Sequence, residues 1–147
     1  MNSTLVLGYG NPQRTDDGVG VCIAEDLEGM KIPGVDVRVV HQLTPELAAD
    51  IAERRQVIFV DAALQGESVA FGRVSVEAAD GERMAHALTP AALVRLSREL
   101  YGFEPDARVC SVRGENFEFG TSLSPQVVEN KSAALHLITS YLSGRHD

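Results

Sequence analysis

Apolar and polar positions along the chain follow two alternating periods, and the switches between them mark the elements. Thr4–Leu7 is a short apolar run that reads as a strand, ended by Gly8-Tyr9-Gly10-Asn11-Pro12, a stretch that neither strand nor helix can continue. Val19, Cys22, Ile23 and Leu27 recur at helical spacing, which predicts a helix over Gly18–Glu28 stopped by Gly29. Val35–Val40, β-branched at nearly every other position, is the second strand and ends at His41-Gln42. Thr44-Pro45-Glu46 has the chemistry of a helix start, with Thr44 as N-cap and Leu47 and Ile51 on the buried face.

Val57-Ile58-Phe59-Val60 is apolar at every position and is stopped by Asp61, the pattern of a central strand covered on both faces. A loop over 62–69, a strand over Val69–Val76 and a polar connection over Glu77–Arg83 follow. Thr89-Pro90 opens a helix striped by Leu93, Leu96 and Leu100 and stopped by Gly102. Ala107–Val112 is the last strand, and an aromatic loop over Gly114–Gly120 comes after it. Phe117, Phe119 and Leu123 are expected to cover the end of the sheet. Ser124-Pro125 opens a final helix with Val128, Leu135, Ile138 and Leu142 inside, and Arg145-His146-Asp147 is a loose tail. Strands alternating with helices predict an α/β fold: a single domain over 1–147, built as a three-layer α/β/α sandwich around a mainly parallel, mixed sheet of about five strands.

Charge narrows the partners. Thirteen basic residues against 21 acidic ones give a net charge of −8, which leaves no basic face for nucleic acid. Met1-Asn2-Ser3-Thr4 lacks the basic start of a signal peptide, and no apolar run approaches the ~18 residues of a membrane span, so a cytoplasmic protein is expected. Cys22 and Cys110 lie in separate apolar segments outside any Cys-x-x-Cys pair, as buried free thiols do.

The glycine-rich first loop first suggests a phosphate cradle. Gln13 stands where a dinucleotide fingerprint needs its third glycine, and Asp16-Asp17 would repel a pyrophosphate. Two adjacent carboxylates suit a cation or an attacking water better. If the sheet is mainly parallel, Asp17 after the first strand and Asp61 at the end of a central one emerge at the same edge, within reach of His86. Two carboxylates and one imidazole form a three-ligand set with open positions for a metal such as zinc, nickel or manganese. Each has a plainer reading: Asp17 as helix N-cap, Asp61 as a turn anchor, His86 as a packing residue. His41 shares the strand-end position. No Gly-x-Ser-x-Gly elbow exists, and Cys110 and Ser111 lie inside a strand, so hydrolysis without a covalent enzyme intermediate is preferred.

GYGNPQRTDDGVG, VIFVDA at 57–62, HALTPAAL at 86–93 and the FEFG and LSP elements at 117–125 together resemble the hydrogenase maturation protease family over essentially the whole chain. The resemblance implies a helix-covered five-stranded sheet with one antiparallel strand. It also implies an endopeptidase that removes a C-terminal peptide from the precursor of the nickel-iron hydrogenase large subunit after nickel insertion. The family's metal-contacting and catalytic positions fall on Asp17, Asp61 and His86, and Thr15 stands where glycine is commoner. The implied metal is nickel carried by the substrate, with zinc or cadmium as substitutes. Asn11 and Asp16 are expected to contact substrate, and Asp16 alternatively serves as an outer-shell partner, a base or a loop cap. Phe117, Phe119 and Leu123 have precursor docking as their other reading. The competing function is a checkpoint protein that binds nickel-loaded precursor without cutting it.

Overall fold

Five strands, β1 (Thr4–Tyr9), β2 (Val35–Val40), β3 (Gln56–Ala63), β4 (Val69–Arg73) and β5 (Asp106–Arg113), form one sheet in the order β2-β1-β3-β5-β4. All neighbours are parallel except β4 against β5. The computed structural model describes residues 1–76 and 88–144. The 77–83 connection, His86 and the 145–147 tail of the sequence reading lie outside the described residues.

Among the described residues four α-helices, α1 (Val19–Gly29), α2 (Leu47–Ile51), α3 (Pro90–Tyr101) and α4 (Pro125–Ser143), cover the sheet. The period of two in the strands sorts side chains between the layers. Leu5, Leu7, Val57 and Phe59 pack against Leu47 and Ile51 of α2 and Leu93 and Val94 of α3. Val6, Ile58, Val60 and Cys110 pack on the other face against Val19, Ile23 and Leu27 of α1 and Val127, Ala134 and Ile138 of α4. The sandwich is thus the three-layer arrangement that the pattern predicts.

Thr89 caps α3 as expected, its hydroxyl oxygen accepting from the Ala92 N–H at 3.0 Å, and Gly102 closes that helix at φ 76°. Several boundaries differ from the sequence reading, and the first is β1, which continues through Gly8 and Tyr9 because they pair with Val39 and Val40 of β2. β3 runs past Asp61 to Ala63, because it pairs with β5 as far as Ala63 opposite Arg113. β4 stops at Arg73, short of Val76. Thr44 and Pro45 form a separate turn before α2, with the Leu47 and Ala48 N–H groups donating to their carbonyls at 3.1 and 3.0 Å. The buried face of α4 runs through Val127, Asn130, Ala134 and Ile138, leaving Val128 exposed.

Opposite the candidate site edge, Arg54 is 6% exposed and ties three segments together. It donates to Asp36 on β2 at 2.6 Å, to Asp50 on α2 at 2.9 Å and to the Asn2 carbonyl at 2.8 Å. Hydrogen bonds from Arg54 and then Asn2 hold the Asp36 carboxyl down at about 2.

Candidate active site

The site is built where β1 and β3 end, and two glycines set its width. A Cβ on Gly20 of α1 would lie 2.4 Å from the Val60 carbonyl oxygen and 2.9 Å from that of Tyr9. Gly8 on β1 likewise leaves no room for a side chain beside Ala24 and the Gly20 carbonyl. The start of α1 therefore rests directly on the backbone of both strands, which carries the first loop to the end of β3. Gly20→Ala is expected to cost about 2–3 kcal/mol, because backbone atoms must move apart, and a denaturant melt reads it out.

Asp61 sits inside β3, opposite Ser111 in the β3–β5 register. Its carboxylate accepts from the Tyr9 hydroxyl at 2.8 Å and from the Ser111 hydroxyl at 2.9 Å. Burial pushes this carboxyl up, the two hydroxyls draw it back, and the charge of Asp17 raises it further, leaving it above the ordinary carboxylate value. Burial, followed by the charge and hydrogen bond of Asp61, raises the Tyr9 phenol, so Tyr9 stays a donor. Asp61 is held by side chains two residues before the end of β3, so what is corrected is the sequence reading that the strand stops at it.

Asp17 is half-buried, and its Oδ2 accepts from the Asn11 N–H at 2.7 Å. α1 is capped by Gly18 without any side-chain bond, so the N-cap reading of Asp17 is also corrected. The Asn11 side-chain oxygen accepts from the Gln13 N–H at 2.9 Å and shapes the same loop. A Cβ on Gly10, at φ 139°, would fall 2.1 Å from the Asp17 carbonyl oxygen. The Gly10 N–H meanwhile donates to the His41 carbonyl at 3.2 Å. His41 therefore enters through its backbone, with its residue exposed.

Asp16 points the other way. It is 0% exposed, and its carboxylate accepts from the N–H groups of Glu115, Asn116 and Ser124 at 2.8, 2.9 and 2.7 Å and from the Ser124 hydroxyl at 2.7 Å. Burial acts to raise its carboxyl, but these bonds outweigh it and leave the group below the ordinary value. With four donors and no exposure, Asp16 has the geometry of a loop anchor, which corrects its assignment to substrate contact. The anchored turn, Thr15–Gly18, holds Thr15 at φ 51°, where glycine would be unstrained. Thr15 is kept there by donating its N–H to Gly120 at 2.8 Å and its hydroxyl to Glu118 at 2.6 Å.

Of the three aromatic-loop residues, Leu123 packs against the α1/α4 core and the Phe117 ring lies over Gly114. Phe119 is 83% exposed, against the expectation that it covers the sheet end. Tyr9 and Ser111 were not singled out in the sequence. The signal that marks Ser111 is a hydroxyl in an apolar strand at the register position facing Asp61.

Asp17 and Asp61 bring anionic oxygens together in a partly dry setting, which suits a hard or borderline divalent cation or a hydrolytic water. Among the described residues no three His, Cys, Asp or Glu side chains form a metal-holding group. Both cysteines are free, and burial, then the charge of Asp61, pushes the Cys110 thiol up to about 12, so sulfur takes no part here.

No family model matches the chain, and no curated protein matches it. Solved structures do. The chain is similar to the [NiFe] hydrogenase maturation protease HycI of Thermococcus kodakarensis KOD1 at 24% identity, with a TM-score of 0.78 over 97% of this chain and 94% of that one. It is similar to the hydrogenase maturating endopeptidase HybD of E. coli at 25% identity, with a TM-score of 0.76 over 98% of this chain and 94% of that one. The fold is that of the hydrogenase maturation proteases. A third such structure, the hydrogenase 2 maturation peptidase of Thaumarchaeota archaeon SCGC_AB-539-E09, aligns at 24% identity and a TM-score of 0.72 over 97% of this chain and 99% of that one. Within the maturation-protease fold, Asp17 and Asp61 lie where parallel strands end, the edge at which α/β sheets bind ligands.

Proposed function

We propose that this chain is an endopeptidase that removes a C-terminal peptide from the nickel-loaded precursor of a nickel-iron hydrogenase large subunit. The observation that supports this reading most is the Asp61 carboxylate, fixed by Tyr9 and Ser111 and facing the charge of Asp17, in a chain of maturation-protease fold. In this reading the nickel arrives with the substrate, and Asp17, Asp61 and His86 supply ligands to its open positions. The substrate's nickel brings Lewis acidity, which polarises the scissile carbonyl or lowers the pKa of a water toward ~7. Zinc or cadmium occupies the same oxygen and imidazole donors as a substitute. The chain's own residues orient and hold charge: Tyr9 and Ser111 fix one carboxylate, and the Asn11 N–H fixes the other. The reaction takes place in the cytoplasm, in keeping with two unpaired thiols. No helix among the described residues is long and apolar enough to cross a membrane.

The test is to mix the purified protein with nickel-loaded precursor from the same organism and follow the precursor's mass, beside a nickel-free control and His86→Ala. Loss of a C-terminal peptide only with nickel and an intact His86 is expected. Co-elution of the two proteins with the mass unchanged would replace the protease with the checkpoint protein, and neither binding nor cleavage would remove both.

A further inference from the structure

Phe119 is 83% exposed, the most exposed of the large apolar side chains among the described residues. The ring does not hang on a loose loop. Gln13–Thr15 and Glu118–Gly120 are bonded backbone to backbone, with the Gly120 N–H donating to Gln13 at 3.0 Å and the Thr15 N–H to Gly120 at 2.8 Å. Thr15 holds a left-handed conformation to complete that pairing, and Asp16 ties the base of both loops. A strained residue and a buried carboxylate thus fix the loop that carries the exposed ring.

The Arg14 guanidinium lies over the Phe119 ring, its Cζ 5.3 Å from the ring centre. Arg14 makes no ion pair with any described residue. A guanidinium carries five N–H donors in one plane, a fork that matches a carboxylate. Arg14 is also joined to the site, because its carbonyl accepts from the Asp17 N–H at 3.0 Å. An exposed ring, a cation without an ion pair among the described residues and a candidate catalytic carboxylate are therefore held by two loops bonded to each other. Rigid aromatic and arginine side chains of this kind are the usual anchors of protein interfaces.

We infer that Phe119 and Arg14 form the docking anchor for the folded body of the precursor, seating in an apolar pocket rimmed by a carboxylate beside the tail to be cut. This rests on the proposed protease function and adds to it the surface that recognises the substrate. A folded partner fits better than the tail alone, because a protruding ring needs a preformed pocket. The Arg14 cation calls for a carboxylate on the rim of that pocket.

The test compares Phe119→Ser, Phe119→Leu and Arg14→Ala with the parent for affinity to nickel-loaded precursor and for cleavage rate. Phe119→Ser and Arg14→Ala are expected to weaken binding by about tenfold or more and to raise KM while kcat at saturating precursor holds. Phe119→Leu is expected to recover most of the affinity. Unchanged affinity in Phe119→Ser, with the parent still binding and cutting, overturns the anchor and leaves the protease standing. A fall in kcat with KM unchanged, or no recovery in Phe119→Leu, assigns the ring to shaping the site and overturns it as well. A parent dimer that Phe119→Ser dissolves would give the surface to a second copy of this chain. A parent that neither binds nor cuts the precursor removes the protease and the anchor together.

Discussion

Asp61→Asn is expected to lose tail cleavage by about 10³-fold or more while folding at least as stably as the parent at pH 7. Both halves follow from the setting of this carboxylate. Asparagine matches its shape: the amide oxygen accepts from one hydroxyl, and the amide nitrogen donates to the oxygen of the other, so Tyr9 and Ser111 stay paired. What disappears is the negative charge, the property that binds a cation or takes a proton. For stability, the folded carboxyl is raised above its unfolded value by burial and by Asp17. Its contribution is therefore fully present below about pH 3.9 and lost as pH rises through the folded value. At pH 7 the ionised group burdens the fold, and a neutral amide removes that burden. Melts in EDTA at acid and neutral pH, set beside precursor cleavage, test both; full cleavage by Asp61→Asn would exclude the residue from the chemistry.

Asp16→Ala is expected to cost about 4 kcal/mol, and its melting temperature to fall by about 8–16 °C for a domain of this size. The loss is large because one carboxylate serves four donors, and the smaller side chain leaves three backbone N–H groups and one hydroxyl without an acceptor. Ser124→Ala removes only one of these bonds and is expected to cost about 1 kcal/mol. The acid limb separates the carboxylate from a steric effect. The folded Asp16 carboxyl lies below its ordinary value, so its stabilisation is present above about pH 3.9 and lost as pH falls through the folded value. Asp16→Asn should flatten that limb. If Asp16→Ala melted with the parent, the anchor would have no weight.

The layers of this protein were legible from the period of its apolar residues. Val57–Val60, apolar at each position, marked the strand now found between β1 and β5, and Thr89-Pro90 marked a helix start whose cap bond is present. Boundaries were less legible where a polar side chain finds partners across the sheet. Asp61 looked like a stop, yet β3 continues because hydroxyls from β1 and β5 satisfy its carboxylate. The roles of Asp16 and Asp17 show the same limit. Adjacent acids in one turn face opposite directions, and it is the distant partners of Asp16, Glu115, Asn116 and Ser124, that tell them apart. Thr15 gave a partial signal: a residue standing where glycine is commoner does adopt a glycine-like φ of 51°, held by bonds to residues 118 and 120.

The bond between Asp16 and Ser124 also sets an order of events at the ribosome. The two residues are 108 positions apart, so the first carboxylate emerges roughly 5–20 s before its anchor at ordinary synthesis rates. During that interval β1, β2 and β3 are already available to pair, but the turn carrying Asp17 has nothing to hold its base. The edge of the sheet thus acquires its working shape only once the stretch from Glu115 to Ser124 is made. A nascent chain that has not reached Ser124 carries Asp16 without its full set of partners.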